Sequence, residues 1–99
     1  MKKMTSKLET PLKDKCIGWA KAQPNLWIVK IWGGGMQEGG IPDILACYKG
    51  KFIAIELKRP DGEGVLAPRQ QAQLNRIERA GGIAKVIDSL DDFKEIFND

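Results

Sequence analysis

GGIPDILACYKGKFIAIELKRPDG, residues 39 to 62, decides how this chain is read. Two apolar runs, Ile44-Leu45-Ala46 and Phe52-Ile53-Ala54-Ile55, stand on either side of Lys49-Gly50. Short branched runs around a tight glycine turn read as an antiparallel hairpin. A two-residue turn pairs Tyr48 with Lys51, and counting outward sets Asp43 opposite Glu56. Directly opposed residues share a face of the sheet, and Lys58, two beyond Glu56, shares it too. A three-residue loop without a bulge would slip the register by one and send Asp43 to the other face. With the two-residue turn, Asp43, Glu56 and Lys58 converge at one end of an apolar hairpin.

Two carboxylates facing each other repel unless a cation lies between them. Oxygen ligands alone favour a hard ion, Mg²⁺ or Mn²⁺. Such an ion polarises a phosphoryl oxygen and acidifies bound water. A lysine alongside positions that water or stabilises charge developing on phosphate. Taken singly the pieces are ordinary: a Glu-x-Lys at a strand end is usually a solvated ion pair, and a Pro-Asp is usually a turn. Together they predict a metal-dependent site for phosphodiester cleavage.

Outward from the hairpin, Leu26 to Trp32 reads as a strand rich in branched and aromatic residues, and Gly33 to Gly40 as a glycine loop. Before it, residues 10 to 22 carry Leu12, Cys16, Trp19 and Ala20 at helical spacing. Ser6-Lys7-Leu8-Glu9 fits a capping box and Thr10-Pro11 a cap followed by proline; proline at the first helical position favours the second start. After the hairpin come a polar loop from Arg59 to Ala67, a helix from Pro68 to Ala80, a strand from Ile83 to Ile87 and a short helix from Asp91 to Phe97, capped by Ser89 or Asp88. The order α-β-β-β-α-β-α predicts an α/β sheet with helices packed on it.

The 99 residues point to one domain, 1–99, small enough to gain from a partner subunit. The absence of histidine excludes Ser-His-Asp and Cys-His triads and histidine-ligated metals, which leaves carboxylates, lysine, metal and water for any catalysis. The net charge of +3 permits a polyanionic partner without requiring one. Cys16 and Cys47 are expected as reduced, buried thiols. No apolar run approaches the ~20 residues of a membrane span, and no signal core follows the basic N-terminus, so a cytoplasmic location is expected. Trp19, Trp27 and Trp32 are expected in the core or at a subunit interface.

Gly40-Ile41-Pro42-Asp43, Phe52 to Lys58, Leu66-Ala67-Pro68-Arg69-Gln70 and Ala80-Gly81-Gly82 together resemble the VRR-NUC family of the PD-(D/E)xK nuclease superfamily, particularly its compact stand-alone phage and bacterial versions. The resemblance spans almost the whole chain. It implies a restriction-endonuclease-like core, α-β-β-β-α-β, with a mixed sheet flanked by helices, in a bacterial or phage-infected cell. It implies Asp43 and Glu56 as metal ligands, the Leu57 carbonyl as a third contact, and Lys58 as the catalytic lysine. The family's helix glutamine falls on Gln70. The helical stripe of Gln71, Leu74 and Ile77 instead turns Gln71 towards the sheet, about 100° away from its neighbour. The family's acidic residue near the first helix falls on Glu9, which could equally serve the helix dipole. Ala67 departs from the serine or threonine that often precedes the proline. Lys30, Arg59 and Arg69 are the candidate DNA contacts. The activity implied is a Mg²⁺- or Mn²⁺-dependent DNA endonuclease, selective for branched DNA in the manner of Holliday junction resolvases and acting as a homodimer. The alternative is a non-catalytic DNA-binding module that kept the fold.

Overall fold

The hairpin forms as its turn residues dictate. Lys49 (φ 53°) and Gly50 (φ 80°) both take positive φ, the type I′ geometry whose twist suits two antiparallel strands. Glycine adopts it freely; for Lys49 the left-handed conformation costs about 1 kcal/mol. Its ammonium lies 5.2 Å from the centre of the Tyr48 ring, a cation–π contact that holds the turn residue in place. The computed structural model describes residues 11–31, 39–58 and 66–98. In it β2 (Ile44–Tyr48) and β3 (Lys51–Leu57) pair antiparallel, with Tyr48 against Lys51 and Ile44 against Ile55.

Strand β1 (Leu26–Lys30) pairs antiparallel with β2, and β4 (Ile83–Ile87) pairs parallel with β3. The mixed sheet has the order β1-β2-β3-β4. The parallel step needs a crossover, and helix α2 (Pro68–Arg79) supplies it. Helix α1 (Leu12–Lys21) precedes the sheet and α3 (Leu90–Ile96) follows it. Pro11 occupies the cap position of α1, one residue before the helix proper, and Ser89 caps α3 by accepting from the Asp92 N–H at 3.1 Å. The expected order of elements and the mixed, helix-flanked sheet are thus the observed ones.

Alternation along the strands sorts side chains to two faces. One face joins Ile28, Ile44, Ala46, Ile53, Ile55 and Ile87 to Cys16 and Ala20 of α1 and to Phe93 and Phe97. Trp19, Tyr48, Phe93 and Phe97 close that core, with ring centroids 5.2–6.0 Å apart and every such pair edge-on except the tilted Trp19–Phe97. The other face, with Ala54 and Glu56, lies under α2, whose Leu74 is buried. Helix α2 does not reach the β1–β2 side of this face. Trp27, paired with Cys47, is therefore 58% exposed, and Cys47 is exposed as well, which corrects the expectation of a buried thiol. Cys16 is buried as expected, and burial pushes its thiol up to about 11, so it is an inert packing group. Trp19 is part of the aromatic cluster, whereas Trp32 lies outside the described residues. Among the described residues, no helix is long and apolar enough to cross a membrane.

Candidate active site

Extending the observed register by one residue sets Asp43 against Glu56, as the turn requires. The Ile31 N–H donates to the Asp43 carbonyl at 2.8 Å, so the Asp43 backbone faces β1. The Asp43–Glu56 pair is therefore of the non-hydrogen-bonded kind, in which side chains approach more closely. The next pair would be Pro42 with Leu57. Proline has no N–H to give the Leu57 carbonyl, and the ladder stops there. The Leu57 N–H donates instead to Asp43 Oδ2 at 2.9 Å. In an extended strand a residue's N–H and C=O point to the same edge, so the Leu57 carbonyl also faces the Asp43 side. Lys58 continues the ladder to β4, its N–H donating to the Ile87 carbonyl at 2.8 Å. Alternation puts its side chain on the Glu56 face.

Glu56 is 5% exposed, the buried charged residue among those described. Its carboxylate is gripped from α2: Gln70 Nε2 donates to Glu56 Oε2 at 2.8 Å. Gln70 is fixed in turn because its Oε1 accepts from the Ala67 N–H at 2.8 Å. This is the backward half of a capping box, and it sets which end of the amide points at Glu56. Ala67 has no side-chain oxygen to complete the box. Gln71 is exposed and donates to Asn75 Oδ1, so the stripe that turned it towards the sheet is corrected. The inward positions of α2 are Gln70, Gln73, Leu74 and Ile77, an i, i+3, i+4, i+7 face.

The loop before Asp43 packs on the first turn of α2. Gly40 has φ +84°, and a Cβ there would lie 2.5 Å from the Arg69 carbonyl oxygen, so a side chain is excluded on both counts. Gln73 Nε2 donates to the Gly39 carbonyl at 3.3 Å, and the Arg69 side chain lies against Gly39. Gly40, Ile41, Ala67, Pro68, Arg69 and Gln70 line an open groove beside Glu56. Arg69 thus lines this groove, while Lys30 forms an ion pair with Asp14 of α1 at 3.1 Å. Glu9 and Arg59 lie outside the described residues.

One residue at the site is absent from the sequence reading. Lys13 of α1 places Nζ 3.8 Å from Asp43 Oδ1. No local motif marks it; its position depends on how α1 docks on the sheet.

Burial and then the neighbouring Asp43 carboxylate raise the Glu56 pKa from 4.5 to about 7. Lys13 opposes this shift without cancelling it. The neighbouring Asp43 charge thus opposes ionisation of Glu56, a repulsion that an added cation would relieve. The donor set is two carboxylates and a backbone carbonyl, all oxygen, and fits Mg²⁺ or Mn²⁺. Among the described residues no third acidic, cysteine or histidine side chain joins them.

No protein-family model and no curated protein matches the chain. Solved structures do. A VRR_NUC domain matches with a TM-score of 0.68 at 20% identity, over 86% of this chain and 88% of that one. A second VRR_NUC domain protein matches with a TM-score of 0.66 at 17% identity, over 92% and 91%. Hjc, a Holliday junction resolvase of Archaeoglobus fulgidus, matches with a TM-score of 0.53 at 23% identity, over 78% of this chain and 64% of that one. The fold is therefore that of a VRR_NUC domain, a restriction-endonuclease-like nuclease fold, as the resemblance in sequence implied.

Proposed function

We propose that the chain is a Mg²⁺- or Mn²⁺-dependent DNA endonuclease of the VRR-NUC type. The observation that carries this reading is the Asp43–Glu56 pair: two carboxylates face each other at the end of a nuclease-fold sheet, one of them buried, beside a Leu57 carbonyl that Pro42 leaves without its ladder partner. Asp43, Glu56 and the Leu57 carbonyl would hold the ion, with Glu9 as a further candidate. When bound, the ion would polarise a phosphoryl oxygen and acidify water. The residues do the rest. Gln70 holds the Glu56 carboxylate in one orientation. Lys58, on the same face, supplies positive charge where the phosphate becomes more negative. Arg69 and the groove at the start of α2 receive the DNA backbone, with Lys30 and Arg59 as further candidate contacts. Hydrolysis adds water across one P–O bond and leaves a phosphate monoester and a hydroxyl end.

The substrate class we infer is branched DNA, cut by two linked sites; the fold likeness to a Holliday junction resolvase supports this reading. A homodimer supplies two sites most simply. The test is cleavage of four-way, flap, nicked and linear DNA by purified protein in Mn²⁺ or EDTA, with light scattering on the same samples. Cutting of the four-way junction in Mn²⁺ alone, by a dimer, is expected. Binding without cleavage in any metal would instead establish the non-catalytic module.

A further inference from the structure

We propose that Lys13 is a built-in competitor for the divalent ion. It supplies the counter-charge for Asp43 in the metal-free protein and so limits how tightly the carboxylate pair takes up metal. The inference rests on the metal reading above and adds a residue from outside the hairpin motif.

The two oxygens of Asp43 have different partners. Oδ2 accepts from the Leu57 N–H at 2.9 Å, and Oδ1 faces Lys13 Nζ at 3.8 Å. The ammonium thus addresses the oxygen that does not take the backbone bond, the less encumbered of the two for a metal. An ammonium and a divalent ion on one carboxylate oxygen repel each other, so uptake of one displaces the other.

Lys13 cannot withdraw by moving its helix. Cys16 and Ala20, three and seven positions on along the same face of α1, are fully buried in the core. Lys13 is itself half-buried, its side chain 30% exposed. Neutralisation within α1 is closed off as well, because the adjacent Asp14 is paired with Lys30 at 3.1 Å. Lys15, on the same helix, is exposed and serves as the internal control.

The experiment is calorimetric titration of Mn²⁺ into metal-free protein without DNA, at fixed pH and ionic strength. Lys13→Gln is expected to bind Mn²⁺ roughly two- to fivefold more tightly than wild type, the scale of a partly exposed ion pair. Lys13→Arg keeps the charge and should stay within about twofold of wild type. Lys15→Gln, which removes the same charge elsewhere, should gain less than Lys13→Gln. A lysine that merely packs gives the opposite sign, since losing it loosens the site and weakens the metal. Unchanged or weaker Mn²⁺ binding by Lys13→Gln with wild-type circular dichroism overturns the proposal. Lys13→Met retains the stem and decides the question in the same way if the glutamine variant loses helix. Wild-type protein that takes up no Mn²⁺ overturns the metal reading itself, a failure distinct from equal uptake by wild type and variant.

Discussion

Ile55 and Glu56 are neighbours in β3, and both are buried, at 0% and 5% exposed. They point to opposite faces. Ile55 enters a core closed by α1 and the α3 aromatics; Glu56 lies under α2 between Asp43 and Gln70. Equal burial has opposite consequences on the two faces. Removing Ile55 from water stabilises the domain by about 2 kcal/mol or more. Removing an ionised carboxylate from water, next to another, costs free energy that one hydrogen bond from Gln70 only partly offsets. One face holds the sheet together, and the other carries a buried acid that its surroundings only partly compensate.

The largest expected effect tests that contrast directly. Glu56→Gln keeps the shape and removes the charge. Cleavage should fall roughly a thousandfold or more, about 4 kcal/mol on the barrier, while metal-free stability at pH 8 should rise by about 1 kcal/mol or more. Single-turnover cleavage and urea denaturation measure the two. A variant destabilised at pH 8 would erase the difference between the faces.

Ile55→Ala should do the reverse. The lost burial and the cavity left behind should cost about 2–5 kcal/mol in urea denaturation. Cleavage per folded molecule should stay within a few-fold of wild type. If the activity of folded Ile55→Ala collapsed instead, the faces would be mechanically coupled through β3.

The third effect is one of pH. The Glu56 pKa is raised from 4.5 to about 7, so the folded protein holds this proton more tightly than the unfolded chain. The resulting stabilisation is full below about pH 4.5 and is lost as pH rises to about 7. In EDTA, wild-type stability should therefore fall across this window relative to Glu56→Gln, by up to about 3 kcal/mol. Mn²⁺ uptake should strengthen over the same range, because the ion must displace that proton. Parallel stability–pH curves for the two proteins would show that Glu56 is not the group responsible.

The hairpin side of the site was legible because it depends on local chemistry. A positive-φ turn at Lys49-Gly50 and a period of two carry Asp43 to Glu56 and on to Lys58 without any long-range information. Gln70 against Gln71 was harder. A helix stripe resolves direction only to about a third of a turn, and Gln71, Leu74 and Ile77 look as periodic as Gln70, Leu74 and Ile77. Cys47 was misread for a related reason: alternation names the face of a strand but not whether a helix covers it, and α2 stops short of β1 and β2. Lys13 left no trace in the pattern. Its place depends on the docking of α1, a matter of many small packing contacts spread along the chain.

Pro42 also leaves the end of the sheet with an unusual rung. The Leu57 amide hydrogen is held by the Asp43 side chain, where a backbone carbonyl would ordinarily hold it. Exchange of this hydrogen with solvent deuterium is thus governed by a carboxylate that also faces Lys13. The amide is an isotopic gauge within the β3 backbone: whatever engages or releases Asp43 changes its protection, while the ladder amides of Ile53 and Ile55 keep time with the fold.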